Sequence, residues 1–269
     1  MVAELKHRQL LRKIFFAALL ITATGSLKAV ESVRFKTADD CLVAASYQAP
    51  ARGGMVFVNV HGLGSNKGEW APFEKVLKAR GVGWLTLDLR GHGQSVECAG
   101  KKADYRFFSA EAWNSAAKDI VAASGYLKKR KIPASRTALC GASVGANLVL
   151  KAAVDHSLKP AAVIMLSPGL IYAGVGIEEY FTRPGPFPLL LVASPDDSYA
   201  WQSSKRLFEA ANSQKLSAKQ ASVTGGEVIF RQGVSGHGVN MFSGSGKHLM
   251  EEIAVWAAGN QAVAAGRQN

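Results

Sequence analysis

The segment Gly141-Ala-Ser143-Val-Gly145 places one serine between two glycines, directly after an apolar run and directly before a helical pattern of apolar residues. A sharp turn from a strand into a helix would force this serine into a strained conformation and expose its hydroxyl group. Glycine on either side would let the neighbouring backbones approach closely. The pattern predicts that Ser143 is a nucleophile; the alternative is a serine that caps a helix in a glycine-rich turn.

A serine hydroxyl is a weak nucleophile unless a base takes its proton, and the chain holds six histidines. His237 lies in a glycine-rich segment between the last predicted strand and the last predicted helix, from which it could reach the serine. His61 and His92 lie in glycine-rich turns, and each could be structural. We expect His237 to be the general base.

The base needs a carboxylate that holds its tautomer and stabilises the imidazolium. Asp196 and Asp197 stand side by side after a predicted buried strand. The residues alone leave both open: Asp197 is preferred, and Asp196 would otherwise shape a turn or cap a helix. The resulting order along the chain, serine, then aspartate, then histidine, is that of one particular scaffold.

The elements that must position these groups alternate along the chain. A hairpin is predicted over residues 32–50, around Asp39 and Asp40. The further predicted strands are 55–60, 82–89, 136–141, 161–168, 186–195 and 227–232, and the predicted helices are 69–81, 109–129, 143–156, 200–212 and 247–259. Strands that are apolar on both faces and alternate with helices indicate an α/β fold with a mostly parallel sheet, covered on both faces. We expect about eight strands, with the hairpin as an antiparallel edge.

Five motifs of the chain, in their order, resemble those of the α/β-hydrolase superfamily, and the resemblance covers residues 32–258. They are NVHGLGSN, DLRGHGQS, GASVG, ASPDDSYA and SGHG. The resemblance implies that Asp197 is the acid, that His92 is structural, and that the backbone N–H groups of Leu63 and Val144 form the oxyanion hole. It further implies acyl transfer that requires no metal and no cofactor.

Within the superfamily, the chain resembles serine esterases and lipases with a small or absent lid. Only residues 175–185 are predicted to separate the two strands between which many relatives carry a lid. Four apolar residues near this segment are expected either to form a pocket wall or simply to pack, namely Ile171, Tyr172, Tyr180 and Phe181.

These observations predict an exported serine hydrolase, a carboxylesterase that acts on a small-molecule ester with a small or medium acyl group. Two alternatives stay open. One is a dienelactone, thioester or peptide hydrolase on the same scaffold, and the other is an inactive binding protein that kept the fold.

The first residues are different in kind from the rest. Four basic residues, Lys6, Arg8, Arg12 and Lys13, precede an apolar run over residues 14–21 and then small residues. This layout predicts a signal peptide over residues 1–29, a single domain over 30–259 and a flexible tail over 260–269. We expect a periplasmic or secreted protein with no stable membrane insertion after cleavage. The alternative is an uncleaved N-terminal membrane anchor.

Charge and cysteine content add two expectations. The chain carries a formal charge of +12, and five basic residues and one acid in residues 1–29 leave about +8 for the remainder. That charge favours anionic partners, yet no nucleic-acid motif is present, and we expect no nucleic-acid partner. Cys41 and Cys98 could pair in an exported protein, while Cys140 is expected to be a buried thiol.

Overall fold

A mixed β-sheet forms the centre of the computed structural model, which describes residues 29–182, 185–217 and 226–266. Residues 1–28 of the predicted signal peptide and the end of the predicted tail, 267–269, lie outside the described residues. The described part of the sheet has ten strands, namely β1 (Glu31–Lys36), β2 (Cys41–Gln48), β3 (Val56–Val60), β4 (Gly83–Leu87), β5 (Glu97–Cys98), β6 (Lys101–Lys102), β7 (Thr137–Ala142), β8 (Ala162–Leu166), β11 (Leu189–Ala193) and β12 (Val228–Gln232). Nine of them lie in the order β12-β11-β8-β7-β3-β4-β2-β5-β6, and β1 pairs with β2.

The six strands from β12 to β4 are parallel, and β1, β2, β5 and β6 are antiparallel. The predicted fold class and the antiparallel N-terminal hairpin are therefore confirmed. Among the described residues, eight strands of the sheet have five residues or more. The two-residue strands β5 and β6 extend the edge beyond the predicted number.

Helices cover both faces of the sheet. They are α1 (Ala71–Ala79), α2 (Ala110–Ser115), α3 (Ala117–Lys129), α4 (Val144–Asp155), α5 (Glu178–Thr182), α6 (Ser198–Ser217) and α7 (Lys247–Gly266). No described helix combines the length and the apolar character that crossing a bilayer requires. The final helix continues to Gly266 and so is longer than the predicted 247–259.

One predicted helix is interrupted. Ser109 caps α2, because its hydroxyl accepts a hydrogen bond from the Ala112 N–H at 3.3 Å, as the sequence predicts. The prediction of a continuous helix over 109–129 is wrong. The helix is interrupted at Ala116, whose N–H donates to the carbonyl of Trp113, three residues earlier, at 3.0 Å. The break lets the buried Trp113 ring pack against Phe108 while α3 continues along the sheet.

The core consists of two apolar layers, one on each face of the sheet. Alternate residues of β3 illustrate the division: Val58 belongs to one layer, with Ile120 of α3, and Phe57 to the other, with Phe73 of α1. All five residues of β3 are buried. Burial on both faces explains why the strands read as continuous apolar runs rather than as alternating ones.

The segment between β8 and β11 spans residues 167–188, longer than the predicted 175–185. Its described residues form a short hairpin, β9 (Ile171–Tyr172) with β10 (Val175–Gly176), and the five-residue helix α5. The boundary was wrong because the hairpin has too few residues for its pairing to show in the sequence pattern. Tyr180 and Phe181 of α5 are buried in the core, so these two residues pack rather than line a pocket.

A disulfide joins the N-terminal hairpin to the edge strand β5. Cys41 and Cys98 face each other in the antiparallel pair β2–β5, and their sulfur atoms are 2.05 Å apart. The pairing that the sequence left open is therefore present. Cys140 is free and buried, and burial raises the pKa of its thiol well above the usual range.

Candidate active site

Ser143 lies at the turn between β7 and α4 with φ 56° and ψ −124°, a strained conformation for a residue with a side chain. The backbone around both glycines of the motif leaves no room for a side chain. A Cβ on Gly141 would lie 2.2 Å from the Gly145 carbonyl oxygen, and one on Gly145 would lie 2.5 Å from the carbonyl oxygens of Val60 and His61. The close approach of β7, α4 and β3 thus explains the pattern of glycines around the serine.

Asp197 is the carboxylate that contacts His237. Its Oδ2 atom lies 2.6 Å from Nδ1 of His237, and its side chain is more buried than the imidazole. Because Nδ1–H donates to this carboxylate, the other ring nitrogen, Nε2, is left as the basic atom. The Tyr172 ring packs perpendicular to the imidazole of His237, with the ring centres 6.1 Å apart.

Asp196, the neighbour of Asp197, has a different role. Its carboxylate accepts hydrogen bonds from the Ser194 hydroxyl, from the Ser235 hydroxyl at 2.5 Å and from the Gly236 N–H at 3.1 Å. These bonds lower the pKa of Asp196 to about 2. Asp196 therefore anchors the loop that carries His237, through the two residues that precede it.

Ser143 and His237 line one cavity of about 390 Å³ at the carboxyl edge of the parallel strands. The rest of its lining comes from three segments: Gly62, Leu63, Ser65 and Glu69 after β3, Ala142 at the end of β7, and Gly238, Val239 and Asn240 after His237. The motifs at three strand ends thus meet in one place, as expected for the carboxyl edge of an open α/β sheet.

Leu63 and Val144, the predicted oxyanion donors, directly follow Gly62 and Ser143, which both line the cavity. Val144 begins α4, so its N–H is among the first four of the helix, which have no acceptor within the helix. Leu63 follows Gly62, where a Cβ would lie 3.3 Å from the Cβ of Ser143. The Leu63 amide is therefore close to the serine, and its side chain is exposed.

His61 sets the direction of the Leu63 N–H. Its Nε2 accepts from the Leu89 N–H at 2.9 Å, so Nδ1 carries the hydrogen, which points to the Gly62 carbonyl oxygen at 2.7 Å. In a trans peptide this carbonyl and the Leu63 N–H point in opposite directions, so holding one orients the other. Burial lowers the pKa of His61 to about 4, which keeps the ring neutral at ordinary pH.

Sequence reasoning missed Glu69, Ser65 and Asn240. Glu69 stands seven residues after Gly62, on a single turn of 3₁₀ helix at Lys67–Trp70. No motif of the chain signals its approach to the site, because a one-turn helix has no periodicity to recognise.

A second, apolar cavity of about 460 Å³ lies between α3 and the amino end of β7. Its lining includes Val121, Lys128, Ile132 and Leu158 but no serine–histidine or carboxylate pair. It lies at the opposite edge of the sheet from Ser143 and offers no comparable chemistry.

A protein-family model described as serine aminopeptidase, S33, matches residues 51–183. This span is slightly less than half of the chain and includes Ser143 and Leu63 but not Asp197 or His237. No curated protein matches the chain.

Solved structures resemble the chain over most of its length. An esterase from Pyrococcus furiosus superposes with a TM-score of 0.66 at 14% identity, over 85% of this chain and 91% of that one. A thermostable carboxyl esterase from Bacillus coagulans superposes with a TM-score of 0.65 at 13% identity, over 87% of this chain and 99% of that one.

An acylaminoacyl peptidase from Pyrococcus horikoshii gives a TM-score of 0.63 at 17% identity, over 89% of this chain and 42% of that one. Identities this low establish only that the folds are the same. They do not transfer the substrates of these proteins to this chain.

Proposed function

We propose that the chain, which shares the fold of α/β-hydrolases, is an exported serine hydrolase of that superfamily that cleaves carboxylic esters through Ser143, His237 and Asp197. The observation that carries the proposal is the convergence of a strained serine and an aspartate-bound histidine on one cavity. An inactive binding protein would have no use for a strained serine beside an oriented base.

The reaction would follow from this geometry. His237 Nε2 takes the proton of the Ser143 hydroxyl while the serine oxygen attacks the ester carbonyl carbon. The N–H groups of Leu63 and Val144 stabilise the oxyanion of the tetrahedral intermediate, each by roughly 3 kcal/mol or more. The intermediate collapses to an acyl-enzyme, and His237 returns the proton to the departing alcohol. Water, deprotonated by the same histidine, then releases the acid.

The site is open enough for a small-molecule ester with a small or medium acyl group. The described residues between β8 and β11 form only a short hairpin and a one-turn helix, and the cavity holds about 390 Å³. Export is supported by the layout of residues 1–29 and by the Cys41–Cys98 disulfide, a bond typical of oxidising compartments.

Labelling of the protein purified after export with a fluorophosphonate probe tests the proposal. We expect stoichiometric labelling of the wild type, and none of Ser143→Ala or His237→Ala. A series of p-nitrophenyl esters of increasing chain length should then give turnover. A folded wild type that neither labels nor hydrolyses any ester would refute the hydrolase assignment and favour a binding protein.

Peptide hydrolysis is the second candidate, because the matching family model describes serine aminopeptidases and one similar structure is an acylaminoacyl peptidase. Aminoacyl and acyl-aminoacyl p-nitroanilides, assayed beside the p-nitrophenyl esters, distinguish the two. A kcat/KM for an anilide above that for the ester of the same acyl group would make the chain a peptidase.

A further inference from the structure

The loop after β3, residues 62–65, carries the Leu63 amide, and the other amides of this loop already donate hydrogen bonds within the protein. The Gly62 N–H donates to Oε1 of Glu69 at 3.2 Å, and the Gly64 N–H donates to Nε2 of His92 at 3.3 Å. The Ser65 N–H donates to the Gly62 carbonyl at 3.2 Å. Of the amides of residues 62–65, all of which the structure describes, only that of Leu63 donates to no described residue.

Glu69 is held in a rigid position. The turn that carries it, Lys67–Trp70, is capped by the Asn66 side chain, which accepts from the Gly68 N–H at 2.9 Å. The Lys67 N–H donates to the buried Asp88 carboxylate at 2.8 Å, and Lys67 Nζ donates to the same group at 2.5 Å. The Trp70 ring is fully buried. The Glu69 side chain therefore extends from a fixed support toward Gly62.

His92 is held equally firmly on the other side of the loop. Its Nδ1 lies 3.0 Å from the Arg90 carbonyl oxygen, to which it donates, so Nε2 is the acceptor that faces Gly64. The Tyr105 ring stacks on it with the ring centres 3.9 Å apart. Burial lowers the pKa of His92, which favours the neutral ring that this bond requires.

A carboxylate in this place has a cost. Glu69 lines the same cavity as Ser143, and burial raises its pKa, although the Ser65 hydroxyl, the Gly62 N–H and His237 act in the other direction. A negative charge beside a developing oxyanion opposes the reaction electrostatically. A role in orienting the loop accounts for a carboxylate that would otherwise only slow the chemistry.

We propose that Glu69 and His92 are positioning residues that hold the amides on either side of Leu63, so that the Leu63 N–H is the amide of this loop presented to the oxyanion. This inference rests on the proposed serine hydrolase function. Glu69 acts as a hydrogen-bond acceptor here, and its charge is not required. The glutamine variant should therefore retain the function, and the alanine variant should lose it.

The test compares Glu69→Ala and Glu69→Gln in the protein purified after export, with a p-nitrophenyl ester as substrate. We expect Glu69→Ala to lower kcat by about 10- to 100-fold with KM changed less than about threefold, since an oxyanion donor acts in the transition state. A trifluoromethyl ketone, which forms an oxyanion on Ser143, should lose affinity in the same proportion. Glu69→Gln should stay within about threefold of the wild type.

Glu74 provides the matched control. It is another half-buried glutamate with a pKa raised by burial, but its carboxylate accepts from the Thr86 hydroxyl at 2.6 Å and does not line the cavity. Glu74→Ala should change stability without changing kcat. The proposal is overturned if Glu69→Ala keeps its kcat, if Glu69→Gln falls as far as Glu69→Ala, or if the loss appears in KM alone.

Amide hydrogen exchange gives a readout that needs no activity. Glu69→Ala should increase the exchange of the Gly62 amide, whereas Glu69→Gln and Glu74→Ala should leave it as in the wild type. An inactive wild type with this pattern of exchange would refute the proposed hydrolysis while keeping the positioning role. Unchanged exchange of the Gly62 amide in Glu69→Ala would refute the positioning role itself.

Discussion

At the scale of single residues, the site depends on differences between neighbours that are chemically alike. Asp196 and Asp197 are adjacent carboxylates, yet one binds the loop of His237 and the other binds its ring. Both residues lie in the turn between β11 and α6, where successive side chains can leave the backbone in different directions.

This division of roles predicts unequal effects of the same change. Asp197→Asn should lower kcat by roughly 10³- to 10⁴-fold, because an amide no longer holds the correct histidine tautomer. Asp196→Asn should lower it by about tenfold at most, since the amide can still accept from Ser235 and Gly236. Steady-state kinetics on one ester measures both, and a larger loss for Asp196→Asn would reverse the assignment.

The glycines around Ser143 predict a stability effect. In Gly145→Ala, the added methyl group would collide with the carbonyl oxygens of Val60 and His61, so we expect a loss of about 3 kcal/mol or more, or failure to fold.

The control for that change is Gly125→Ala in the exposed part of α3, where a Cβ would have no neighbour within 4 Å. Helix propensity should there raise the free energy of unfolding by about 0.5–1 kcal/mol. Urea denaturation of both variants checks the pair. A stable Gly145→Ala protein would contradict the close approach of α4 to β3.

At the scale of elements, the N-terminal hairpin is attached to the sheet by covalent and ionic links. Besides the disulfide, Arg90 donates to Asp39 at 2.8 Å and to the buried Asp119 at 2.8 Å. Arg90 follows β4 and lies two residues before His92, so these links also hold the turn that supports the oxyanion loop.

The disulfide should contribute a large part of the stability. Its half-cystines are separated by 57 residues, for which the loop-entropy model gives about 4 kcal/mol. Replacing both cysteines by serine should lower the free energy of unfolding by about this amount. A reductant should destabilise the wild type to the same extent and leave the double variant unchanged; an equal effect of reductant on both proteins would contradict the assignment.

The Asp39–Arg90 pair predicts a dependence of stability on pH. Burial alone would raise the pKa of Asp39, but the hydrogen bonds from Arg90 and Thr37 outweigh it and hold this pKa well below its usual range. The pair therefore stabilises the fold fully above the unfolded-state pKa, about 3.9, and this stability is lost as the pH falls through the lower folded-state pKa.

Asp39→Asn should accordingly lower the free energy of unfolding by about 1–3 kcal/mol at pH 7. This difference in stability from the wild type should become smaller below about pH 4. Asp40→Asn is the control, because Asp40 is exposed with φ 62°, a conformation that asparagine adopts readily. Urea titrations at several pH values measure both. If the difference in free energy of unfolding between Asp39→Asn and the wild type stayed constant down to pH 2, the charge of the Asp39 carboxylate would not be what stabilises the fold.

At the scale of the whole molecule, several exposed apolar side chains lie on the side of the sheet that carries the site. Eight large apolar residues are exposed among the described residues, and four of them lie in segments that follow the carboxyl ends of parallel strands. These four are Leu63, Ile171, Tyr199 and Val234. A substrate with an apolar group would find contact area on this face.

Phe107 is the most exposed of the eight, at 84%, and lies two residues after Tyr105, which packs near Gly64 of the oxyanion loop. Phe107→Ser should reduce the preference for longer acyl chains, lowering the kcat/KM ratio of octanoate to acetate esters several-fold, since each buried methylene is worth about 0.8 kcal/mol. Val255→Ser, an exposed apolar position on α7, should leave the ratio unchanged. If the wild type, Phe107→Ser and Val255→Ser had the same ratio of kcat/KM values, Phe107 would not contact the acyl chain of the substrate.

The amino-acid sequence was sufficient to predict the features that depend on local pattern. Apolar runs that are buried on both faces indicate parallel strands, and the glycines around Ser143 indicate a sharp turn, because both signals lie within a few adjacent residues. The contact between Asp197 and His237, which the sequence only favoured, and the contacts of Cys41 with Cys98 and of Glu69 with Gly62 are established by the tertiary structure. These contacts join residues from separate elements, and only the packing of the sheet and its loops brings such residues within bonding distance.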